Sequence, residues 1–235
     1  MGATSKEKSR PARPARPART AKPAKGAPER AAGRTRTRLS VEDRRAQLVA
    51  LGIARFSGRP YDEVSIDEIA DAAGISKGLL YHYFPTKRDF YVAAITQAAS
   101  ELLERTAPDR ALPPLERAAR GIDGYLAYVE EHALAFVALM TGAGQDPQIV
   151  AVIERTRQVI LERILEGIEA EVTARAPARP PAFDTPAFRI AMRGFIGFAE
   201  AASLDWLRTR DLTRAEISAL LVRVFLGLLQ SFLGP

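Results

Sequence analysis

The chain has 235 residues, of which 47% are hydrophobic, so it has enough apolar material for a sizeable buried core. It contains no cysteine, which excludes disulfide scaffolds, thiolate zinc sites, iron–sulfur clusters and cysteine nucleophiles. No apolar run approaches the roughly 20 residues that a membrane span needs. The N-terminus also lacks the apolar core of a secretory signal. We therefore expect a soluble protein of the cytoplasm.

The formal net charge of +6 is concentrated at the N-terminus. Residues 1–39 contain twelve Lys and Arg against two Glu, a net of +10, so the remainder carries −4. This segment repeats Pro-Ala-Arg between Pro11 and Arg19 and has almost no large apolar side chain. It predicts a disordered basic tail with polyproline-II bias that attracts polyanions. The alternative is an organelle transit peptide, but the regular prolines disfavour its amphipathic helix.

The rest of the chain shows the helical period throughout, without the alternation typical of strands. Capping residues and Gly or Pro breaks predict four helices in the first part. The first begins at Ser40 and the second at Ser65. The third is the short segment Lys77–Phe84, and the fourth runs from Thr86 to about Thr106. Five more are predicted beyond the Pro108–Pro114 break: Leu115–His132, Ala133–Thr141, Gln148–Arg175, Thr185–Thr209 and Thr213–Leu233. The fold class is therefore all-α.

Two of these helices are short and are joined by a tight turn at Gly74, a pattern typical of a helix-turn-helix. The small residues Ala70 and Ala73 let the two helices cross closely. Large apolar side chains then fill the wedge between them: Ile66, Ile69, Ile75, Leu80 and Phe84. Because positions three and four apart share a helix face, the opposite face presents Lys77, Gly78, Tyr81 and His82.

The segment Val64–Tyr91, VSIDEIADAAGISKGLLYHYFPTKRDFY, resembles the signature of the tetracycline-repressor (TetR) family. The likeness extends over about Ser40–Ala98, whereas the C-terminal half resembles the family only in helix count, length and general pattern. It implies an N-terminal three-helix DNA-binding module with a helix-turn-helix, and a C-terminal helical bundle for dimerisation and ligand sensing. The expected domains are the tail, 1–39, the DNA-binding domain, 40–106, and the sensing domain, 107–235.

The resemblance also implies DNA-binding roles for individual residues. Those expected on phosphates are Ser65, Tyr83, Thr86 and Lys87, and those expected at base edges are Lys77, Gly78, Leu79, Tyr81 and His82. Ser76, at the start of the second of the two helices in the helix-turn-helix, completes the predicted set of DNA-binding residues. Each has a plainer alternative: the tyrosines and Leu79 could pack in the core, and His82 and Lys87 could be ordinary surface side chains.

The C-terminal half carries two further sets of candidates. Aromatic and Met side chains could line an apolar effector pocket or simply form core: Tyr125, Tyr128, Phe136, Met140, Phe198 and Trp206. The last helix has an apolar stripe wider than one neighbour requires, and the helix before it offers two glycines for close approach. The predicted dimer contacts are Gly194, Gly197, Leu221, Val224 and Leu228, with a purely intramolecular core as the alternative.

No phosphate-binding glycine loop, His-Glu-x-x-His motif or nucleophile elbow is present, so we expect neither an enzyme nor a cofactor. His132 follows Glu130 and Glu131, but neighbouring positions point to different faces, which favours a helix-end charge over a metal site. The expected function is a homodimeric repressor that binds a pseudo-palindromic operator in double-stranded DNA. A small hydrophobic effector would release it. An architectural DNA-binding protein that uses its basic tail is the alternative.

The tail generates a direct test. Residues 40–105 carry eight basic and ten acidic groups, so the DNA-binding module itself has little general attraction for DNA. As a flexible coil, the tail reaches about 35 Å. Deleting residues 1–38 should therefore flatten the slope of log affinity against log salt and weaken binding to operator and random DNA alike, as measured by titration. An unchanged salt slope would show that the tail does not bind DNA.

Overall fold

The structure, a computed structural model, describes Gly2 and residues 40–142, 146–175 and 185–233. The predicted tail therefore lies outside the described residues. Helices follow one another along the chain, and no strand occurs in the three described segments. The helices are α1 Val41–Phe56, α2 Ile66–Ala73, α3 Lys77–Tyr83, α4 Lys87–Arg105, α5 Pro114–Glu131, α6 Ala133–Gly142, α7 Pro147–Arg175, α8 Pro186–Thr209 and α9 Arg214–Leu233. A 3₁₀ turn, Tyr61–Glu63, precedes α2. The all-α prediction is confirmed, with helix bounds within one or two residues.

Side-chain caps explain why the helices begin where the sequence predicts. The Ser40 hydroxyl accepts a hydrogen bond from the backbone N–H of Asp43 at 3.0 Å, at the start of α1. Thr86 and Asp89 form a reciprocal capping box at the start of α4. Each cap satisfies an N–H group that the helix itself leaves unpaired, which stabilises the helix by about 1 kcal/mol.

Helices α1 to α4 enclose the first hydrophobic core. Its most deeply buried side chains have at most 2% of their surface exposed: Leu48, Val64, Ile69, Ala70, Leu80, Phe84, Phe90 and Ala94. Helix α1 crosses α4 closely at Gly52, where an added Cβ would lie 2.6 Å from the ring of the fully buried Phe90. This contact fixes the position of α4 against α1.

The second core lies among α5, α7, α8 and α9. Its fully buried members include Leu126, Phe188, Met192, Ile217 and Leu221. Helix α4 leaves the first module and packs against α5 and α7 as well as α1. It therefore joins the two cores mechanically.

Helix α9 corrects one sequence expectation. By length and composition, its segment Arg214–Phe232 is apolar enough to cross a membrane, with a mean hydropathy of 1.5. Part of this helix belongs to the second core, but only 17% of the apolar window is buried. Many apolar side chains of α9 are therefore only partly buried by the rest of the described chain.

Helices α4 and α5 meet at a contact that tolerates no side chain. A Cβ at Gly124 would lie 2.7 Å from the backbone carbonyl oxygen of Arg105, whereas one at Gly121 would meet nothing within 4 Å. Gly124→Ala should therefore push the helices apart and cost about 1–3 kcal/mol in the free energy of unfolding. Gly121→Ala, one turn away, should stabilise α5 by up to about 1 kcal/mol. Denaturant unfolding measures both changes, and equal effects at the two glycines would contradict the close approach.

Candidate DNA-binding site

Helices α2 and α3 are held at a fixed angle by the turn between them. Gly74 ends α2 in the left-handed region, with φ 64° and ψ 37°, which a residue with a Cβ adopts only at a cost. The next N–H, from Ile75, donates to the Ala70 carbonyl oxygen at 3.0 Å and closes the end of α2. Leu80 of α3 is fully buried against this frame. The sequence therefore builds the predicted helix-turn-helix.

The outer face of α3 is open to solvent. Leu79 and Tyr81 have 39% and 37% of their surface exposed, and Lys77, Gly78 and His82 are exposed as well. A Cβ at Gly78 would meet only the Ser76 hydroxyl, at 4.0 Å, so the backbone is accessible there. The structure thus brings the five predicted base-edge residues together on one exposed surface, which we call the reading face.

Three hydroxyl residues predicted to contact DNA lie at helix N-termini. Ser65 accepts a hydrogen bond from the N–H of Asp67 at 3.1 Å at the start of α2. Ser76 accepts one from the N–H of Leu79 at 3.2 Å at the start of α3. Thr86 caps α4. Helix N-termini attract anions through their free N–H groups and the helix dipole, so each hydroxyl stands where a phosphate is favoured.

The remaining predicted phosphate residues lie beyond the C-terminal half of α3. Tyr83 is half-buried, with its ring centre 5.8 Å from that of His82. The Lys87 ammonium lies 4.4 Å above the ring of Tyr61 and 3.4 Å from the Asp62 carbonyl oxygen. This cation–π contact holds the ammonium group against the protein surface. Tyr61 is a residue that the sequence analysis missed.

Two cations of the module, Lys77 and Arg59, are paired with nearby acids. Lys77 donates to a carboxylate oxygen of Asp67 at 2.9 Å, and this hydrogen bond raises the pKa of Lys77. The guanidinium of Arg59 is paired with Glu68, which lowers the pKa of that carboxyl group. Both pairs are largely exposed, so they direct side chains more than they stabilise the fold. Asp67, also missed by the sequence analysis, is the group that positions Lys77.

The predicted effector-pocket residues do not line one common cavity. Tyr128 is buried and its hydroxyl donates to the Ala98 carbonyl oxygen at 2.9 Å. Trp206 is 3% exposed, with its indole N–H donating to the Leu212 carbonyl oxygen at 2.8 Å. Both therefore complete the core of their own protomer.

Of the other four, Met140 is half-buried on α6, and Tyr125 meets Phe136 edge-to-face with ring centres 6.4 Å apart. Phe198 corrects the sequence assignment, because 41% of its surface is exposed on the outer face of α8. It therefore lines no interior site in this structure. The prediction grouped these residues by type, whereas their helix faces separate them.

The predicted dimer residues also divide. Gly194 and Gly197 are exposed, with nothing within 4 Å of an added Cβ, so they lie on an open face of α8. Val224 and Leu228 on α9 are half-buried. Leu221 is fully buried in the second core, so its side chain is not available to a partner, contrary to the sequence assignment.

His132 is the C-terminal cap of α5, as the sequence predicts, and it also contacts α1. Its Nδ1 lies 3.1 Å from the Ser57 hydroxyl at the end of α1, and its ring centre is 4.4 Å from that of Tyr128. Within the described residues, no group of three His, Cys, Asp or Glu side chains could hold a metal ion. His132 therefore joins the end of α1 to the end of α5.

Comparison with known proteins bears on both halves of the chain. The family model "Bacterial regulatory proteins, tetR family" matches residues 48–94, and "Tetracyclin repressor-like, C-terminal domain" matches residues 114–228. The transcriptional activator FasR of Mycolicibacterium smegmatis is 25% identical over 148 residues, which cover 61% of this chain and 68% of that protein. The transcriptional regulator AcuR of Cereibacter sphaeroides is 37% identical over 30% of this chain and 33% of its own length. The regulator EthR of Mycolicibacterium smegmatis is 35% identical over 27% of this chain and 29% of its own length.

Solved structures agree with these matches. A TetR-family regulator from Streptomyces coelicolor superposes with a TM-score of 0.71 and 36% identity over 83% of each chain. FadR from Bacillus subtilis, solved with stearoyl-CoA, shares the fold, with a TM-score of 0.60 and 16% identity over 76% of this chain and 96% of that one. With its exposed reading face, its helix-turn-helix and these matches over both halves, the chain belongs to the TetR family of DNA-binding transcriptional regulators.

Proposed function

We propose that this regulator is a cytoplasmic repressor whose dimer binds a pseudo-palindromic operator and releases it when a small hydrophobic effector binds the C-terminal domain. The observation that carries the proposal is the reading face. Its side chains are exposed because α3 is anchored in the first core on its other side, by Leu80 and by Tyr83 and Phe84 at its end. An exposed helix of this kind fits the major groove.

Two contacts would carry the effector signal from the sensing domain. The guanidinium of Arg88, in the first turn of α4, binds the carboxylate of Asp146 through two hydrogen bonds of 2.7 and 2.8 Å. Asp146 also accepts the N–H of Gln148 at 2.9 Å at the start of α7. The contact between Ser57 and His132 forms the second joint. A shift of α6 or α7 would therefore displace α1 and α4, and with them the reading face.

The dimer surface that we propose is the open face of α8 together with the uncovered side of α9. It includes Ile190, with 64% of its surface exposed, and Phe198, with the small residues Gly194 and Gly197 between them. Small residues allow two helices to approach closely, and the apolar ones supply the driving force. FadR from Bacillus subtilis, which shares the fold, was solved in complex with stearoyl-CoA, a ligand with a long apolar chain, and this supports a hydrophobic effector.

An architectural DNA-binding function remains the second candidate, because residues 1–39 carry a net charge of +10. The two functions differ in selectivity. Selection of genomic fragments by the purified chain should return sites related by a two-fold axis, bound at least about 10³-fold more tightly than random DNA. Fragments without a shared sequence would favour the architectural function. Reporter expression from the neighbouring promoter, with and without the protein, then shows whether it represses or activates.

Sedimentation and operator affinity together test the proposed dimer surface. Phe198→Glu should yield monomers in sedimentation and lose most operator affinity, because one protomer reads only half a site. Leu134→Glu provides the matched control, because Leu134 is 64% exposed on α6, outside the proposed surface. A Phe198→Glu dimer with full operator affinity would place the interface elsewhere.

The division of the DNA-binding residues into reading and positioning groups gives a further prediction. Tyr81→Ala and His82→Ala should each weaken operator binding by about 1–3 kcal/mol while leaving binding to random DNA nearly unchanged. Lys87→Ala should weaken both alike, because a phosphate contact carries no sequence information. Titration with operator and random duplexes measures the two affinities. A sequence-selective effect of Lys87→Ala would contradict the division.

A further inference from the structure

The sensing domain contains a hydroxyl that its own helix leaves unused. Ser203 of α8 is fully buried, and its Oγ makes no hydrogen bond of acceptable geometry to any described group. Hydroxyls elsewhere on the described helices behave differently: those of Thr96 and Thr156 donate to the carbonyl oxygen four residues earlier, at 2.7 and 2.8 Å. A buried polar group without a partner costs about 1–3 kcal/mol, so its presence requires an explanation.

A second such hydroxyl, that of Tyr125 on α5, lies beside Ser203. The Tyr125 oxygen is shielded from solvent and also lacks a hydrogen bond of acceptable geometry. Even if small movements joined the two hydroxyls, one would donate to the other, and the second proton would still lack an acceptor. Burial raises the pKa of Tyr125 well above its ordinary value, so this hydroxyl keeps its proton. The pair therefore presents at least one free donor inside the domain.

The charges around the pair are balanced. Arg157 on α7 binds both carboxylate oxygens of Glu200 on α8, at 2.8 and 2.6 Å, and these two side chains act electrostatically on Tyr125. Because the guanidinium is already neutralised, a carboxylate or phosphate on a ligand would find no free cation there and would face Glu200. The environment thus favours an uncharged acceptor over an anion.

Helix α6 covers Tyr125 through Phe136 and is loosely held. Its sequence is almost entirely apolar, yet none of its side chains is buried, and Leu134 has 64% of its surface exposed. A helix with so little buried surface can move without disrupting the core. It begins directly after His132, which contacts Ser57 of the DNA-binding module.

We propose that the Tyr125 and Ser203 hydroxyls bind the carbonyl oxygen of a neutral, largely apolar effector, such as a ketone, ester or amide, that enters beneath α6. A carbonyl oxygen has two lone pairs and accepts from both donors at once. This inference rests on the proposed effector-responsive function and names the ligand class of its site. Displacement of Phe136 by the ligand would shift α6 and disturb the contact between His132 and Ser57.

The ligand-free protein provides the first test, because removing an unused hydroxyl differs from removing a bonded one. Tyr125→Phe and Ser203→Ala should leave the Tm unchanged or raise it. The matched control, Tyr128→Phe on the same helix, should lower the Tm, because that hydroxyl donates to the Ala98 carbonyl oxygen. If Tyr125→Phe and Ser203→Ala lowered the Tm as much as Tyr128→Phe, both hydroxyls would have partners, and the proposal would be overturned.

The second test measures binding by the fluorescence of Trp206, which is the only tryptophan in the chain and lies one helical turn beyond Ser203. The carbonyl probes are methyl decanoate, decanamide and acetophenone, with undecane and decanoate for comparison. Wild-type protein should bind at least one carbonyl probe saturably and bind decanoate more weakly than methyl decanoate. Tyr125→Phe and Ser203→Ala should each weaken carbonyl binding about tenfold and leave undecane binding unchanged. Tyr128→Phe should change neither.

Two results would overturn the carbonyl site: no saturable binding of any carbonyl probe by the wild type, or equal affinities in the wild type, Tyr125→Phe and Ser203→Ala. Operator selection is scored separately. A protein that selects specific DNA but fails the fluorescence test loses only the carbonyl site. One that binds the ester as expected but shows no sequence preference loses the repressor function, and the ligand site stands.

Discussion

Helix α4 belongs to the first hydrophobic core and also packs against α5 and α7, which enclose the second core. The arrangement of the described chain from α1 onward depends on these two sets of contacts. Its first half contributes Phe90, which packs against Gly52 of α1 and leaves no space for a side chain there. Its last residue, Arg105, places its carbonyl oxygen against Gly124 of α5. Because close-packed interiors transmit displacement rather than absorb it, a movement of α5 or α7 is passed to the reading face through α4, and the contact between Ser57 and His132 provides a second route through α1.

Electrostatics in the DNA-binding module follow a different logic. Three of its cations are held by partners on their own chain: Lys77 by Asp67, Lys87 by the ring of Tyr61, and Arg59 by Glu68. These contacts are exposed and weak, so DNA can replace them at little cost. The module thus keeps its positive side chains in defined directions while it carries no excess positive charge. We therefore expect the general attraction for a polyanion to come from residues 1–39, which carry a net charge of +10.

Local signals made most of the fold predictable. The hydroxyl caps at Ser40, Ser65 and Thr86 and the glycine at position 74 mark helix ends through contacts within a few residues, and these are visible in the sequence. The reading face was predictable for the same reason, because the helical period and the burial of Leu80 determine which residues of α3 point outward.

What the sequence could not provide was the relation between distant helices. The helical period of α8 predicts which residues share a face with Phe198, but it does not predict whether that face is buried. In the structure, Phe198 lies on an exposed face. The prediction for Leu221 was wrong in the opposite sense, because this expected dimer residue lies in the core. An apolar stripe on α9 does not distinguish a core contact from a partner contact. The pairing of Ser203 with Tyr125 joins positions 78 residues apart on different helices, so no local pattern indicates it.

The contact between Gly124 and the Arg105 carbonyl oxygen involves backbone atoms on one side and a bare Cα on the other. The spacing of α4 and α5 at this contact is therefore set by backbone atoms and does not depend on the size of any side chain. Side chains elsewhere in the C-terminal bundle can therefore be exchanged while α4 and α5 keep their spacing. Under the proposed function, this allows the effector to change during evolution while the connection to the reading face is retained.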